Sequence, residues 1–267
     1  MSFGRKAAER LANKTVLITG ASSGIGAATA REFARAANGN LRLVLAARRE
    51  RRLAQLAASL NLAFGGIRVH TTPLDVTDPR AISTFTSTLP KEFQDIDVLV
   101  NNAGKALGRD HVGAIDPADL NDMMQTNLVG LVNMTQAVLP GFKKKNSGDI
   151  INIGSVAGRE PYPGGSVYCA SKAGVNFFTD ALRKELINSR IRVMEVQPGM
   201  VETEFSVVRF HGDQNAADSV YTGVTPLTAE DIAELIVFAA TRRENTVVAE
   251  TLVFPSHQAG SSLSYRQ

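Results

Sequence analysis

Tryptophan is absent from these 267 residues, aromatic residues make up only 6% of them, and Cys169 is the one cysteine. A single thiol excludes an internal disulfide and suits a reducing compartment. Charge of one sign is also scarce: 29 basic against 26 acidic residues leave +3, too small an excess to specify nucleic acid. No apolar run approaches the ~20 residues of a membrane span, and residues 1–10 hold no apolar stretch of the kind a signal peptide needs. The four histidines show no metal-ligand spacing, and no repeat or low-complexity tract is visible. What remains, with 44% hydrophobic and 21% charged residues, is an ordered globular chain. It is expected to be cytoplasmic, or cytoplasmic and nuclear, with no metal, membrane or nucleic-acid partner.

The chemistry centres on Gly154-Ser155 and Tyr168-Cys169-Ala170-Ser171-Lys172. At i and i+4 of a helix, Tyr168 and Lys172 share one face a single turn apart. A free phenol titrates near ~10, and a neighbouring ammonium favours phenolate and moves it toward the range useful for proton transfer. Ser155 closes the apolar run 149–154, which reads as a buried strand, and ligands of open α/β sheets bind at that strand end. A hydroxyl there can hold a carbonyl oxygen while the tyrosine moves the proton. Alcohol–ketone interconversion is the chemistry suggested, and it needs a hydride carrier. Tyrosine and lysine also share helix faces for packing or solubility, so the pair takes its meaning from the rest of the chain. Cys169 points about 100° away from Tyr168 on such a helix and reads as packing.

The front of the chain supplies a place for such a carrier. Residues 14–19 form a short apolar strand that runs into Gly20-Ala21-Ser22-Ser23-Gly24-Ile25-Gly26 and then a helix over 27–37. Glycines permit close backbone approach there, and the helix start offers unpaired N–H groups to a pyrophosphate. The second strand, 41–47, ends not in the carboxylate that would bind ribose hydroxyls but in Arg48 and Arg49. Cations opening a helix oppose its dipole by ~0.3–1 kcal/mol each unless an anion sits among them, and the 2′-phosphate of NADP is such an anion. The third strand, 67–75, contains Pro73, which suits an edge and agrees with a sheet ordered 3-2-1-4-5-6-7, placing Asp75 at the adenine end. Strand 97–100 leads into Asn101-Asn102-Ala103-Gly104, small enough to lie against a flat ring. A helix over 117–141 carries Leu120, Met123, Met124, Leu131, Met134, Val138 and Leu139 in one stripe. Asn127 falls inside that stripe and needs a partner, because a buried unpaired amide costs ~1–3 kcal/mol. A further helix over 167–188 is apolar on two sides, so one side suits a second subunit. A sixth strand over 190–197, residues 203–225 as a substrate lid, a helix over 229–242, a last strand over 251–254 and a polar tail at 255–267 complete the reading. Residues 1–13 read as an N-terminal arm.

Taken in order, Thr19-Gly20-x-x-x-Gly24-x-Gly26, Asn101–Gly104, Asn127, Ser155, Tyr168-x-x-x-Lys172 and Pro198-Gly199 resemble the short-chain dehydrogenase/reductase family. That resemblance covers nearly the whole chain. It implies a single α/β Rossmann domain with a doubly wound, parallel, seven-stranded sheet, and a tetrad of Asn127, Ser155, Tyr168 and Lys172. It further implies that Asn127 holds a proton-relay water and that Lys172 bonds the nicotinamide ribose. The coenzyme contacts implied are Gly20, Ser22, Ser23, Gly24, Ile25 and Gly26; Arg48, Arg49, Asp75 and Val76; Asn102, Ala103 and Gly104; Pro198, Gly199, Val201 and Thr203. Segments such as 4–10, 45–49, 101–108, 146–149 and 162–172 are similar to fungal NADP-dependent 3-hydroxy acid dehydrogenases, also described as serine or L-allo-threonine dehydrogenases and usually tetrameric. The resemblance thus implies NADP(H) as coenzyme and a small hydroxy acid or carbonyl compound as substrate. Such a substrate carries a carboxylate, for which Lys105, Arg159 and Arg209 are the candidate cations. A broad carbonyl reductase, and a dinucleotide-binding scaffold without turnover, are the competing readings.

Overall fold

The computed structural model describes residues 3–267, so Met1 and Ser2 of the expected arm lie outside the described residues. Residues 3–11 of that arm are not extended: they form helix α1 (Phe3–Leu11), whose Ala7 and Leu11 are buried. Seven strands follow: β1 (Thr15–Thr19), β2 (Arg42–Ala47), β3 (Arg68–Pro73), β4 (Val98–Asn101), β5 (Gly148–Ile153), β6 (Ile191–Pro198) and β7 (Glu250–Val253). All pair in parallel, in the order β3-β2-β1-β4-β5-β6-β7, as the sequence led us to expect. Pro73 does lie in the edge strand β3.

Alternation along the central strands feeds two cores. Val16, Ile18, Leu43 and Leu45 point to one layer and Leu17, Val44 and Leu99 to the other. The first layer contains α2 (Gly24–Ala36), α3 (Glu50–Ala63) and α10 (Ala229–Ala240); the second contains α4 (Pro79–Thr88), α6 (Gly130–Lys145) and α7 (Ser166–Glu185). A sheet buried on both faces needs nearly continuous apolar strands, which is what β1 and β2 are. Helix α4 is opened by Asp78, which caps it by accepting from the N–H groups of Arg80 and Ala81 at 2.8 and 3.2 Å. The expected helix over 117–141 is three pieces: α5 (Pro117–Met124), a π-helical turn over Gln125–Val129, and α6. Leu120 is 43% exposed and leaves the stripe assigned to it, because the wide turn rotates α5 relative to α6. Residues 203–225 contain two short helices, α8 (Phe205–Arg209) and α9 (Gln214–Ser219). No helix among the described residues is long and apolar enough to cross a membrane.

At the N-terminal end of the sheet, Asp97 ties three elements together. Its carboxylate accepts from Thr15 N at 2.9 Å, Lys14 Nζ at 3.0 Å and Lys145 Nζ at 3.2 Å. Burial raises this carboxyl's pKa, but the Thr15 N–H and the two ammonium groups outweigh burial and hold it below the ordinary value. A depressed folded-state pKa contributes stability above the unfolded value of ~3.9 and loses it as pH falls through the folded one. Asp97→Asn is therefore expected to lower urea-measured stability by ~1–3 kcal/mol at pH 7. The difference from the parent should shrink as pH falls below ~3.9 and through the lower folded-state value. An undiminished difference in acid would place the effect elsewhere.

Candidate active site

The C-terminal ends of β1, β4, β5 and β6 open onto one cleft of about 810 Å³. Gly20, Ser22, Ser23, Gly24 and Ile25 form one wall. Gly20 and Gly24 have φ of 65° and 51°, a conformation that favours glycine. Gly26 lies behind the wall, where a Cβ would strike Asn102 Nδ2 and the Gly20 carbonyl at 2.5 Å. Helix α2 begins at this turn with no side-chain cap, leaving its terminal N–H groups and positive dipole end to an anion in the cleft. Asn102 binds the turn to β4: its Nδ2 donates to Thr19 O at 2.9 Å and to Gly20 O at 3.2 Å. Ala103 and Gly104 continue the floor, and a Cβ on Gly104 would meet Asn127 Oδ1 and Lys172 Nζ.

At the end of the cleft expected to take the adenine, Arg48, Arg49, Asp75 and Val76 all line the cleft, but the two arginines differ. Among the described residues Arg48 faces one charged partner, Asp75, at 3.9 Å. Arg49 is committed: Nε donates to Ser22 Oγ at 3.1 Å, one terminal nitrogen to Ser23 Oγ at 2.5 Å, the other to Glu204 at 2.9 Å. Arg52 also meets Glu204, at 2.5 Å, and the two guanidinium groups pull that carboxyl down to about 2. Sequence reasoning missed Glu204 because its partners lie in the β2–α3 segment, far away in the chain.

The catalytic candidates converge at the other end. Tyr168 and Lys172 stand one turn apart on α7, with Lys172 Nζ 6.0 Å from the Tyr168 ring centre. Lys172 donates to Ile153 O at 2.7 Å, beside the turn that carries Ser155. Ser155 accepts from Ala157 N at 3.1 Å, and its hydroxyl lines the cleft with Tyr168. The expected net pull of Lys172 on Tyr168 is reversed here. Burial pushes the phenol well above its ordinary value, with Ser155 the main opposing influence, and burial likewise lowers the Lys172 amine to about 8. Desolvation penalises both charged forms, and outweighs the Ser155 hydrogen bond and the Arg209 guanidinium at Tyr168 and the Glu195 carboxylate at Lys172.

Asn127 has the partner that its burial requires, a backbone group. Its amide closes on the backbone of Lys105, accepting from N and donating to O, both at 2.8 Å, and donates to Ser171 Oγ at 3.0 Å. The π-helical turn aims it there, and it does not line the cleft. Of the three cations considered for a substrate carboxylate, Arg159 is excluded: it bonds Gln197 and Glu250 outside the cleft. Lys105 lines the cleft but is paired with Asp122 at 2.7 Å. Arg209 lines the cleft without a carboxylate partner among the described residues; it donates to Tyr162 Oη at 2.9 Å and to the carbonyls of Gly108 and Gly164. Pro198, Gly199, Val201 and Thr203 form the remaining edge. The tail is not loose. Gln258 accepts from Met200 N at 2.8 Å, Arg266 donates to Thr222 O and Val220 O, and Ser261, Ser262 and Arg266 line the cleft. Cys169 is buried beside Ala106, Met123 and Ala157, as packing. Among the described residues no His, Cys, Asp and Glu cluster could hold a metal ion.

A parallel sheet in this order, with a glycine turn, an uncapped helix start, and a Ser, Tyr and Lys group over one cleft, defines a dinucleotide-dependent oxidoreductase. The comparisons agree: residues 14–213 match the family profile of the short chain dehydrogenases, and the chain belongs to that family. It is 57% identical over 258 residues to NADP-dependent 3-hydroxy acid dehydrogenase of Schizosaccharomyces pombe, covering 97% of this chain and 98% of that one. It is 48% identical over 250 residues to sulfoacetaldehyde reductase 2 of Chromohalobacter salexigens, covering 93% and 97%. Among solved structures, the closed form of serine dehydrogenase complexed with NADP+ superposes with a TM-score of 0.88 at 38% identity, covering 95% of this chain and 99% of that one.

Proposed function

We propose that the protein is an NADP-dependent dehydrogenase of small 3-hydroxy acids, with L-serine and L-allo-threonine within its range. The observation that carries this reading is Arg209, a guanidinium in the cleft that holds Ser155 and Tyr168, with no acidic partner among the described residues. A substrate carboxylate is the anion it lacks. The cleft would hold NADP between the glycine turn and Tyr168, and the coenzyme would supply or accept the hydride and, when oxidised, a positive charge. In oxidation Tyr168 removes the hydroxyl proton, Ser155 fixes the oxygen, and Lys172 favours the phenolate from one turn along α7. Asn127 fixes the Lys105 backbone beside Lys172, where a proton-relay water would be held. A 3-oxo acid product can then lose carbon dioxide unaided. The working form is a homotetramer; support comes from Phe177, 76% exposed on α7, and from the open edge of β7. Its location is the cytoplasm, in keeping with a lone buried thiol.

The test is NADP+ reduction with L-serine, L-allo-threonine, 3-hydroxybutyrate and neutral secondary alcohols, with sulfoacetaldehyde reduction as a further arm because a guanidinium also accepts a sulfonate. Preference for anionic substrates supports the reading; equal rates with neutral ones would make the protein a broad carbonyl reductase. Arg48, the less committed of the two arginines, is the proposed 2′-phosphate ligand. Arg48→Ala should weaken NADPH binding by ~10–100-fold, which is ~1.4–2.7 kcal/mol, and leave NADH nearly unchanged in a fluorescence titration. Equal loss for both coenzymes would remove that role.

A further inference from the structure

Below the cleft, on the face that α7 covers, the apolar rows of three strands end in polar side chains that lie side by side: Asn101 on β4, Asn152 on β5 and Glu195 on β6. Glu195 is 1% exposed. Its Oε2 accepts from Asn176 Nδ2 at 2.9 Å, and Asn176 stands one turn beyond Lys172 on α7. Its Oε1 has no hydrogen bond and lies so close to Gly154 that an added Cβ there would collide with it. Gly154 separates Ile153, whose carbonyl receives the Lys172 ammonium, from Ser155. One carboxylate therefore touches both the helix that carries Tyr168 and Lys172 and the turn that carries Ser155.

Most neighbouring charges are engaged elsewhere. Arg159 bonds Gln197 and Glu250, the latter in register with Glu195 on β7. Asp180 takes Arg183 and Lys184, and Arg183 also donates to Val193 O and Ala249 O. Among the described residues Lys172 makes no salt bridge, and its ammonium meets only a carbonyl. Resting on the dehydrogenase reading above, we propose that Glu195 is a positioning residue, the buried counter-charge of Lys172, which fixes α7 against the Gly154–Ser155 turn and sets the charge of the Tyr168–Lys172 unit from behind. The electrostatics run the same way: burial lowers the Lys172 amine and Glu195 opposes that shift, while burial raises the Glu195 carboxyl and Asn176, Gln197, Lys172 and the more distant Arg159 oppose that one.

The test is made on the intact protein with 13Cε-lysine NMR, assigning the Lys172 signal by its loss in Lys172→Arg. Glu195→Gln keeps the shape and the Asn176 contact but removes the charge. The Lys172 amine should then titrate lower by about half a pH unit or more, and Glu195→Asp, which keeps a charge, should restore most of it. If Glu195→Gln does not fold, Glu195→Met carries the same measurement. Where turnover is present, both limbs of the kcat–pH profile for alcohol oxidation should move to lower pH in Glu195→Gln, because a more positive site favours phenolate and disfavours ammonium. An unchanged Lys172 titration in the charge-free variant, or a Glu195→Asp shift as large as that of Glu195→Gln, would overturn the proposal. The lysine titration decides it even for a parent protein without turnover, an outcome that would sink only the functional reading.

Discussion

Tyr168→Phe is expected to lower kcat for both alcohol oxidation and ketone reduction by about 10²–10⁴-fold, the range of a lost proton-transfer group, while NADPH binding stays within about twofold. The substitution removes one oxygen and keeps a ring that is buried and meets Phe205 edge-on at 5.6 Å, so the fold has no reason to respond. Removing the hydroxyl eliminates both the acid that protonates a developing alkoxide and the base that accepts the alcohol proton. The two directions should differ in their pH dependence in the parent protein. Burial keeps the phenol protonated without coenzyme, so reduction has its proton donor across the neutral range. Oxidation needs phenolate, which the Lys172 ammonium would favour and to which an oxidised coenzyme held in the cleft would add positive charge. Its rate should rise with pH, and then fall where the Lys172 amine loses its proton, which in the coenzyme-free site is about 8. Initial rates with saturating coenzyme, together with a coenzyme titration of each variant, check the prediction. Activity of Tyr168→Phe above a tenth of the parent would take the proton transfer away from this residue.

What the sequence made legible follows from the range of the forces involved. Strand order came from local signals: nearly continuous apolar runs in β1 and β2, a proline that only an edge tolerates, and the glycines and arginines in the turns that follow those two strands. The Tyr168–Lys172 pairing was legible because an α-helix converts a spacing of four into adjacency. Asn127 was marked as needing a partner, but the π-helical turn that aims its amide at Lys105 has no signature in composition, so the partner could not be read. Arg159 and Arg209 looked alike as isolated cations. They differ because Glu250 and Gln197, distant in sequence, hold Arg159 against β6 and β7, while α8 places Arg209 over Tyr162. The tail was illegible for the same reason: Gln258 reaches the site through Met200 N, a contact across more than fifty residues. Long-range side-chain pairing decides such matters, and a sequence window does not contain it.

Arg209→Met should raise KM for 3-hydroxy acids by about 10²-fold with kcat changed less, because a charge-assisted bidentate contact to a carboxylate is worth roughly 1.5–3 kcal/mol. The guanidinium is held by three acceptors, Tyr162 Oη, Gly108 O and Gly164 O, so it is preorganised rather than recruited. Those bonds also fasten α8 to the loops before α5 and α7, and Met leaves the carbonyls to water at a half-open site. Neutral alcohols and ketones provide the internal control: if Arg209 acts through the substrate anion, their kcat/KM should change by less than about threefold, and the ratio of anionic to neutral kcat/KM should collapse. Arg209→Lys keeps the charge but loses the planar fork, and should recover only part of the lost affinity. Asp122→Asn, which frees Lys105 from its partner, tests the competing cation, since a carboxylate bound by Lys105 would then show a lower KM. If Arg209→Met weakens neutral and anionic substrates equally, Arg209 acts by holding α8 against the cleft, and the acid-specific reading of the cleft fails with it.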